Sequence, residues 1–124
     1  MAREGSDLVK VVKRWRDAAQ VSDVVVHVNV PNFLMADVGL APRDVLELVD
    51  GLGSVMSSVG GVRIWLILRN QDASSASREL AANAEERSRE HGVCTLRDIG
   101  QAAQTIAAFH RVWAWQESES DGGR

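Results

Sequence analysis

The segment from Ser22 to Pro31 constrains the fold more than any other part of the sequence. It is a nearly continuous β-branched run, which a polar turn opens and a proline closes. Such runs are typical of strands buried on both faces at the centre of a parallel sheet. Side chains alternate between the faces of a strand. One face then carries Val24, Val26, Val28 and Val30, and the other carries Val25, His27 and Asn29.

The rest of the sequence predicts four helices with two further strands between them. The first helix carries an apolar stripe of Leu8, Val11, Val12, Trp15, Ala18 and Ala19. After the opening strand, the pattern predicts a helix from Pro42 to Gly60-Gly61 and a strand from Val62 to Leu68. A helix from Ser74 to about His91 and a strand from Val93 to Leu96 follow. Asp98 then caps the last helix. The order α-β-α-β-α-β-α predicts an α/β fold with a small parallel three-stranded sheet flanked by helices.

The length of 124 residues predicts one domain. We expect a loose N-terminus over 1–5, a single α/β domain over 6–115, and a disordered tail over 116–124, which is small, polar and rich in glycine. A sheet of three parallel strands has two open edges, and unpaired edges favour further pairing. The domain is therefore expected to form part of something larger.

Composition narrows the class of protein. The net charge of -3 gives no reason to expect nucleic-acid binding. No apolar stretch approaches the roughly 20 residues of a membrane span, and no signal peptide is recognisable. The single cysteine, Cys94, excludes an internal disulfide and fits a cytoplasmic location. Its apolar neighbours predict an inert, buried core thiol.

Polar residues follow each predicted strand, and the carboxyl ends of parallel strands are where such sheets bind ligands. Asn29 and Asn32 follow the first strand, Arg69 to Asp72 follow the second, and Arg97 with Asp98 follow the third. Helix N-termini near Ser74 and Asp98 point toward the same rim, which suits a phosphate or carboxylate. The candidate anion-binding rim consists of Asn29, Asn32, Arg69, Asn70 and Ser74.

No residue is assigned a catalytic or metal-binding role. The three histidines do not cluster in sequence, and no pair has metal-site spacing. Structural roles are predicted for all three: His27 hydrogen-bonded within the strand, His91 at a helix C-terminus, and His110 in the core. Trp113 and Trp115 cannot share one helix face, and Trp115 is expected to be the exposed one.

Four segments of the sequence resemble those of a known family. They are Asp23–Val30, Val62–Asn70, Ala84–Val93 and Ile99–Trp113. Together they resemble the C-terminal ligase domain of NDP-forming acyl-CoA synthetases, the acetate–CoA ligase and succinyl-CoA synthetase relatives. The resemblance covers roughly residues 20 to 113 and implies a flavodoxin-like domain similar to those of succinyl-CoA synthetase.

The resemblance implies a role in making a thioester from an acid, CoA and ATP through a phosphohistidine. This chain lacks a CoA-binding Rossmann turn, an ATP-grasp domain and the segment that carries that histidine. The family's Gly-Gly after the first strand is replaced by Val30 to Phe33, which weighs against phosphate binding at this loop. CoA and ATP are thus implied by the resemblance alone, and none is expected on this chain by itself.

Two hypotheses follow. The first is a stand-alone or excised ligase domain that is inactive alone and needs partner synthetase domains or subunits. The second is a non-catalytic interaction or oligomerisation domain, functioning as a homo-oligomer. Replacement of the family's Gly-Gly favours the second hypothesis. Asn29 and Arg69-Asn70 lie in segments that match the family, which favours the first hypothesis.

Overall fold

Helices and strands alternate along the chain in the predicted order. A computed structural model describes residues 2–35, 39–71 and 74–122. The elements are α1 (Ala2–Ala19), β1 (Asp23–Asn29), a short 3-10 helix (Val30–Leu34), α2 (Pro42–Ser58), β2 (Arg63–Arg69), α3 (Ser75–Glu90), β3 (Cys94–Leu96) and α4 (Ile99–Gly122). The structure is an α/β fold with a three-stranded parallel sheet and four α-helices, which confirms the predicted fold class.

The sheet has the order β1-β2-β3, and both pairs of strands are parallel. β2 is the central strand, and its residues from Ile64 to Leu68 are all buried. The expectation that the opening strand is central and buried on both faces is wrong, because β1 lies at an edge. Val25, His27 and Asn29 are exposed on one of its faces.

The helices cover the two faces of the sheet unequally. The larger core contains α1, α2 and α3 together with the sheet face that carries Ile64 and Leu66. On the opposite face, α4 alone packs Ala102, Ile106 and Phe109 against Trp65, Ile67 and Leu96. These contacts reach β2 and β3 and leave that face of β1 uncovered, which explains the exposure of Val25 and His27.

α1 buries only part of its predicted apolar stripe. Val12 is buried, and Leu8 is partly buried against the larger core. Val11 and Trp15 remain 41% and 46% exposed, and Ala18 and Ala19 are exposed as well. α1 packs mainly against α2 rather than against the strands. Of the six residues of the predicted stripe, only Val12 and Leu8 therefore contribute to the larger core.

The helix ends differ from the sequence expectation at both termini of the chain. α1 begins at Ala2, inside the segment 1–5 that was expected to be loose, and α4 continues to Gly122, inside the segment 116–124 that was expected to be disordered. Residues 116–122 contain no proline, and glutamine and glutamate are good helix formers, so the backbone can continue the helix. Two residues after Val59, the C-cap of α2, Gly61 has a φ of 78° in the turn that leads to β2, a conformation that favours glycine.

Candidate functional site

A cleft of about 340 Å³ lies at the carboxyl ends of the three strands. It is lined by His27, Arg69, Asn70, Gln71, Arg97, Asp98 and Ile99. Residues from β1 and from the segments that follow β2 and β3 meet there because parallel strands end at the same edge of a sheet. The cleft therefore occupies the region where the sequence predicts an anion-binding rim.

Two of the five predicted rim residues line this cleft, namely Arg69 and Asn70. Asn29, Asn32 and Ser74 do not line it. Asn29 is exposed at the end of β1, and Asn32 is exposed in the 3-10 helix that follows. Asp72, which the sequence analysis placed near the same rim, lies outside the described residues.

Asn70 and Ser74 hold the start of α3 beside the end of β2. The buried Ser77 hydroxyl donates a hydrogen bond to the Asn70 side-chain oxygen. Ser74 is the N-cap of α3, and its hydroxyl accepts a hydrogen bond from the Ser77 N–H at 3.2 Å. This cap satisfies one of the unpaired N–H groups that begin a helix, so Ser74 has a structural role.

Two guanidinium groups face the cleft from neighbouring strand ends. Arg69 ends β2, and Arg97 follows β3 directly. Within the described part of the chain, neither forms an ion pair with a carboxylate. Arg69 makes hydrogen-bonding contact with the Gln71 side-chain amide, while the Arg97 backbone N–H donates to Gln101 Oε1 at 3.0 Å. Both arginines line the cleft.

His27 was not predicted as a site residue, and its predicted structural hydrogen bond is not observed. Its side chain is exposed and forms no hydrogen bond with the residues that the structure describes. In the strand register, His27 lies opposite Ile67, and Asn29 lies opposite Arg69. Alternation therefore places His27 and Arg69 on the same face of the sheet. Strand alternation was visible in the sequence, but the edge position that exposes His27 was not.

Asp98 brings one negative charge to the cleft. Its Oδ1 accepts a hydrogen bond from the Gln101 N–H at 2.7 Å, at the beginning of α4. The cap predicted at Asp98 is therefore present. Among the described residues that line the cleft, two arginines and one aspartate give a net positive charge at neutral pH.

A second polar cluster lies at the opposite end of the sheet, where the strands begin. Asp23 Oδ1 accepts a hydrogen bond from Trp65 Nε1 at 2.8 Å, and its Oδ2 accepts one from His110 Nε2 at 2.7 Å. Ser22 donates a third at 3.1 Å. Beside them, the Arg63 guanidinium lies 4.2 Å from the centre of the Phe109 ring. These contacts tie α4 to the sheet.

Asp23 is ionised more readily than an ordinary aspartate. Burial alone would raise its pKa, but hydrogen bonds from Trp65, His110 and Ser22, together with the charge of His110, outweigh burial and lower the pKa. The Asp23 carboxylate is therefore a stable acceptor at neutral pH. With both oxygens engaged by structural partners, it is a poor candidate for a catalytic base.

His91 and His110 have structural partners. His91 is the C-cap of α3, as the sequence predicts, and its Nε2 lies 3.0 Å from Asp50 Oδ1. His110 is hydrogen-bonded as expected, but its side chain is 49% exposed, so the expectation of a core position is wrong. Its ring also lies edge-on to Phe109, which packs on Trp65 of the central strand.

Cys94 and the two C-terminal tryptophans complete the set of candidate residues. Cys94 is exposed, which contradicts the predicted buried thiol, because β3 is a short strand at the edge of the sheet. Trp115 is exposed as predicted. Trp113 is also half exposed, although its ring stacks on Phe109. Among the described residues, no three His, Cys, Asp or Glu side chains are grouped closely enough to hold a metal ion.

Comparison with known proteins identified no relative. No protein-family model, curated protein or solved structure matches the chain. Over the described ranges, no helix is both long enough and apolar enough to cross a membrane.

Proposed function

We propose that this chain is a ligase-type domain of the kind found in NDP-forming acyl-CoA synthetases, and that it needs other domains or subunits to form a thioester. The proposal comes from the resemblance between the strand and helix sequences of this chain and those of that family. The observation that carries it is the exposure of Val11 and Trp15 on α1 and of Val25 on the edge strand β1, which supports the view that another polypeptide segment completes this domain.

The layer of helices is wider than the three-stranded sheet that it covers, which supports the proposal that further strands complete the sheet. α1, α2 and α3 lie side by side, since α2 contacts both of the other helices. Axes of packed helices are about 8 to 10 Å apart, so the outer two are separated by roughly 16 to 20 Å. Three strands at about 4.8 Å spacing separate their outer members by only about 10 Å. Because α3 contacts β3, the excess width of about 6 to 10 Å falls on the β1 side, where one to two more strands would fit.

Exposed apolar side chains surround this vacant position. Val11 and Trp15 lie on α1, and Val25 is 49% exposed on β1 itself. β1 contains no lysine, proline or bulge, which are the usual protections of an edge strand. Extra strands beside β1 would satisfy its free backbone groups and cover these side chains.

The accessible surface is large for a chain of this size. The chain exposes 8124 Å², whereas a folded monomer of 13.5 kDa exposes about 6,500 Å². The difference, about 1,600 Å², exceeds the roughly 800 Å² that each partner buries in a standard interface. The exposed end of α4 contributes part of this difference, and the uncovered side of β1 contributes another part.

Catalytic groups would come from the partners. His91 and His110 bond to Asp50 and Asp23, and none of the three histidines has the sequence context of the family's phosphohistidine. We expect no acid–CoA ligase activity from the chain alone, with CoA and ATP required by the assembled enzyme. A cytoplasmic location is part of the proposal, and the single exposed thiol of Cys94 fits a reducing compartment.

The test is to produce CoA-binding and ATP-grasp domains from the same source with and without this chain, and to measure thioester formation from acetate, CoA and ATP. We expect formation only when the chain is present. Trp15→Glu on α1 should abolish assembly without unfolding the chain, whereas Trp115→Glu, at a more exposed site on α4, should not. Equal thioester formation without the chain would refute the proposal.

A non-catalytic interaction domain is the second candidate. It is favoured by exposed apolar side chains on α4, where Ile99, Val112 and Trp115 are all more than half exposed. In that case the purified chain should form a stable homo-oligomer in light scattering, and Trp115→Glu rather than Trp15→Glu should dissociate it. Neither CoA nor ATP should then be needed for assembly.

A further inference from the structure

The cleft at the strand ends carries features of a ligand site that are independent of any partner domain. His27, Arg69 and Arg97 all belong to this chain and line one cavity of about 340 Å³. Small-molecule pockets begin at about 300 Å³, so the cleft can admit a group larger than a single ion. Ligand binding at this site can therefore be tested separately from the proposed assembly.

We propose that this cleft binds a phosphoryl group, either as free phosphate or as the phosphate of an ester. The main contacts are assigned to the Arg69 and Arg97 guanidinium groups, and a third contact is assigned to the His27 imidazole. A guanidinium presents parallel N–H donors whose spacing matches two phosphate oxygens. Two such groups on neighbouring strand ends can bind different oxygens of one phosphate.

The charge balance favours phosphate over a carboxylate. The described residues that line the cleft contribute two fixed positive charges and one negative charge, that of Asp98, one oxygen of which already caps α4. A carboxylate is satisfied by one guanidinium, whereas a phosphate has three or four acceptor oxygens and up to two negative charges. Phosphate can therefore use both arginines, and it leaves an oxygen for His27.

The neighbouring polar groups position the two arginines. Gln71 contacts the Arg69 guanidinium, and the Gln101 side chain accepts the Arg97 backbone N–H. The Asn70 side chain is held by Ser77, so the segment after β2 is fixed to α3. These contacts reduce the ordering that binding would otherwise require.

Titration of the purified chain tests this site, with backbone amide chemical shifts and calorimetry as the measurements. The probes are inorganic phosphate, CoA and ATP. We expect shifts around Arg69 and Arg97 with at least one probe. Arg69→Ala or Arg97→Ala should each weaken binding about tenfold, and the double variant should abolish it. Arg97→Lys should retain part of the affinity, because it keeps the charge but loses the paired donors.

The matched control is Arg89→Ala, which removes an exposed arginine from the last turn of α3. It should bind like the unaltered protein. Tighter binding of CoA or ATP than of phosphate would identify an ester as the ligand, and the reverse would identify free phosphate. The proposal is overturned if no probe binds, if shifts occur elsewhere, or if Arg89→Ala weakens binding as much as Arg97→Ala.

Discussion

His110 Nε2 donates a hydrogen bond of 2.7 Å to Asp23 Oδ2 and thereby joins α4 to the beginning of β1. The same carboxylate accepts the indole N–H of Trp65 in the central strand. One aspartate thus connects the edge strand, the central strand and α4, the helix that packs on this face. The connection is polar, whereas the packing around it consists of Trp65, Phe109 and Ile106.

Replacing Asp23 should destabilise the protein more than replacing His110. Asp23→Ala leaves the buried Trp65 N–H without its acceptor, and we expect the free energy of unfolding to fall by about 2 kcal/mol. His110→Ala removes one half-exposed partner and should cost about 1 kcal/mol. Urea denaturation followed by tryptophan fluorescence measures both. Asp17→Ala, which removes an exposed carboxylate paired only with adjacent Arg16, is the control and should be nearly neutral.

Acid should weaken the same connection. The pKa of Asp23 is lower in the folded protein than its ordinary value, so its contribution to stability is complete above the unfolded pKa near 4 and is lost as the pH falls through the folded pKa. We expect the free energy of unfolding to decrease as the pH falls below about 4. Asp23→Asn should show a smaller decrease, measured by urea denaturation at several pH values. An unchanged slope would mean that Asp23 is not responsible.

Gly53 should not tolerate a side chain. It is buried within α2, and a Cβ built there would overlap the His91 ring of α3. Alanine normally favours a helix over glycine, yet we expect Gly53→Ala to lower the free energy of unfolding by about 1 to 3 kcal/mol, because the two helices must separate.

Two further variants isolate this effect. Gly60→Ala introduces a Cβ with no atom within 4 Å and should be nearly neutral. The Gly53→Ala/His91→Ala double variant should be more stable than the sum of the single effects predicts, because the overlap is gone. Strict additivity would show that Gly53 and His91 do not interact.

Ser74 should matter for stability and not for ligand binding. Its hydroxyl caps α3 by accepting the Ser77 N–H, so Ser74→Ala should cost about 1 kcal/mol. Thermal or urea unfolding measures the loss, and Ser75→Ala, at an exposed position of the first turn, serves as the control. Phosphate affinity should be the same in both variants. If Ser74→Ala binds phosphate more weakly and Ser75→Ala does not, Ser74 is part of the anion-binding site.

The site was predictable only in part, as Arg69 and His27 illustrate. Arg69 directly follows the buried run of β2, and a polar residue at a strand end can be recognised from neighbouring residues alone. His27 interrupts an apolar run, and its role depends on whether α4 covers that face. The expected burial of His27 was wrong because the apolar side chains of α4 pack against β2 and β3, while its His110 meets β1 at Asp23, the first residue of that strand.

The sequence by itself determined the elements and their order. Apolar runs define β1 and β2, Pro42 begins α2, Gly61 helps to end it, and helices between strands require parallel pairing. These signals are local, so they survive without knowledge of distant contacts. Only the tertiary structure decided that Ser22–Pro31 contains an edge strand, that Cys94 is exposed, and that His110 meets Asp23. Each of these depends on which helix covers which strand, and that is set by packing between segments far apart in the chain.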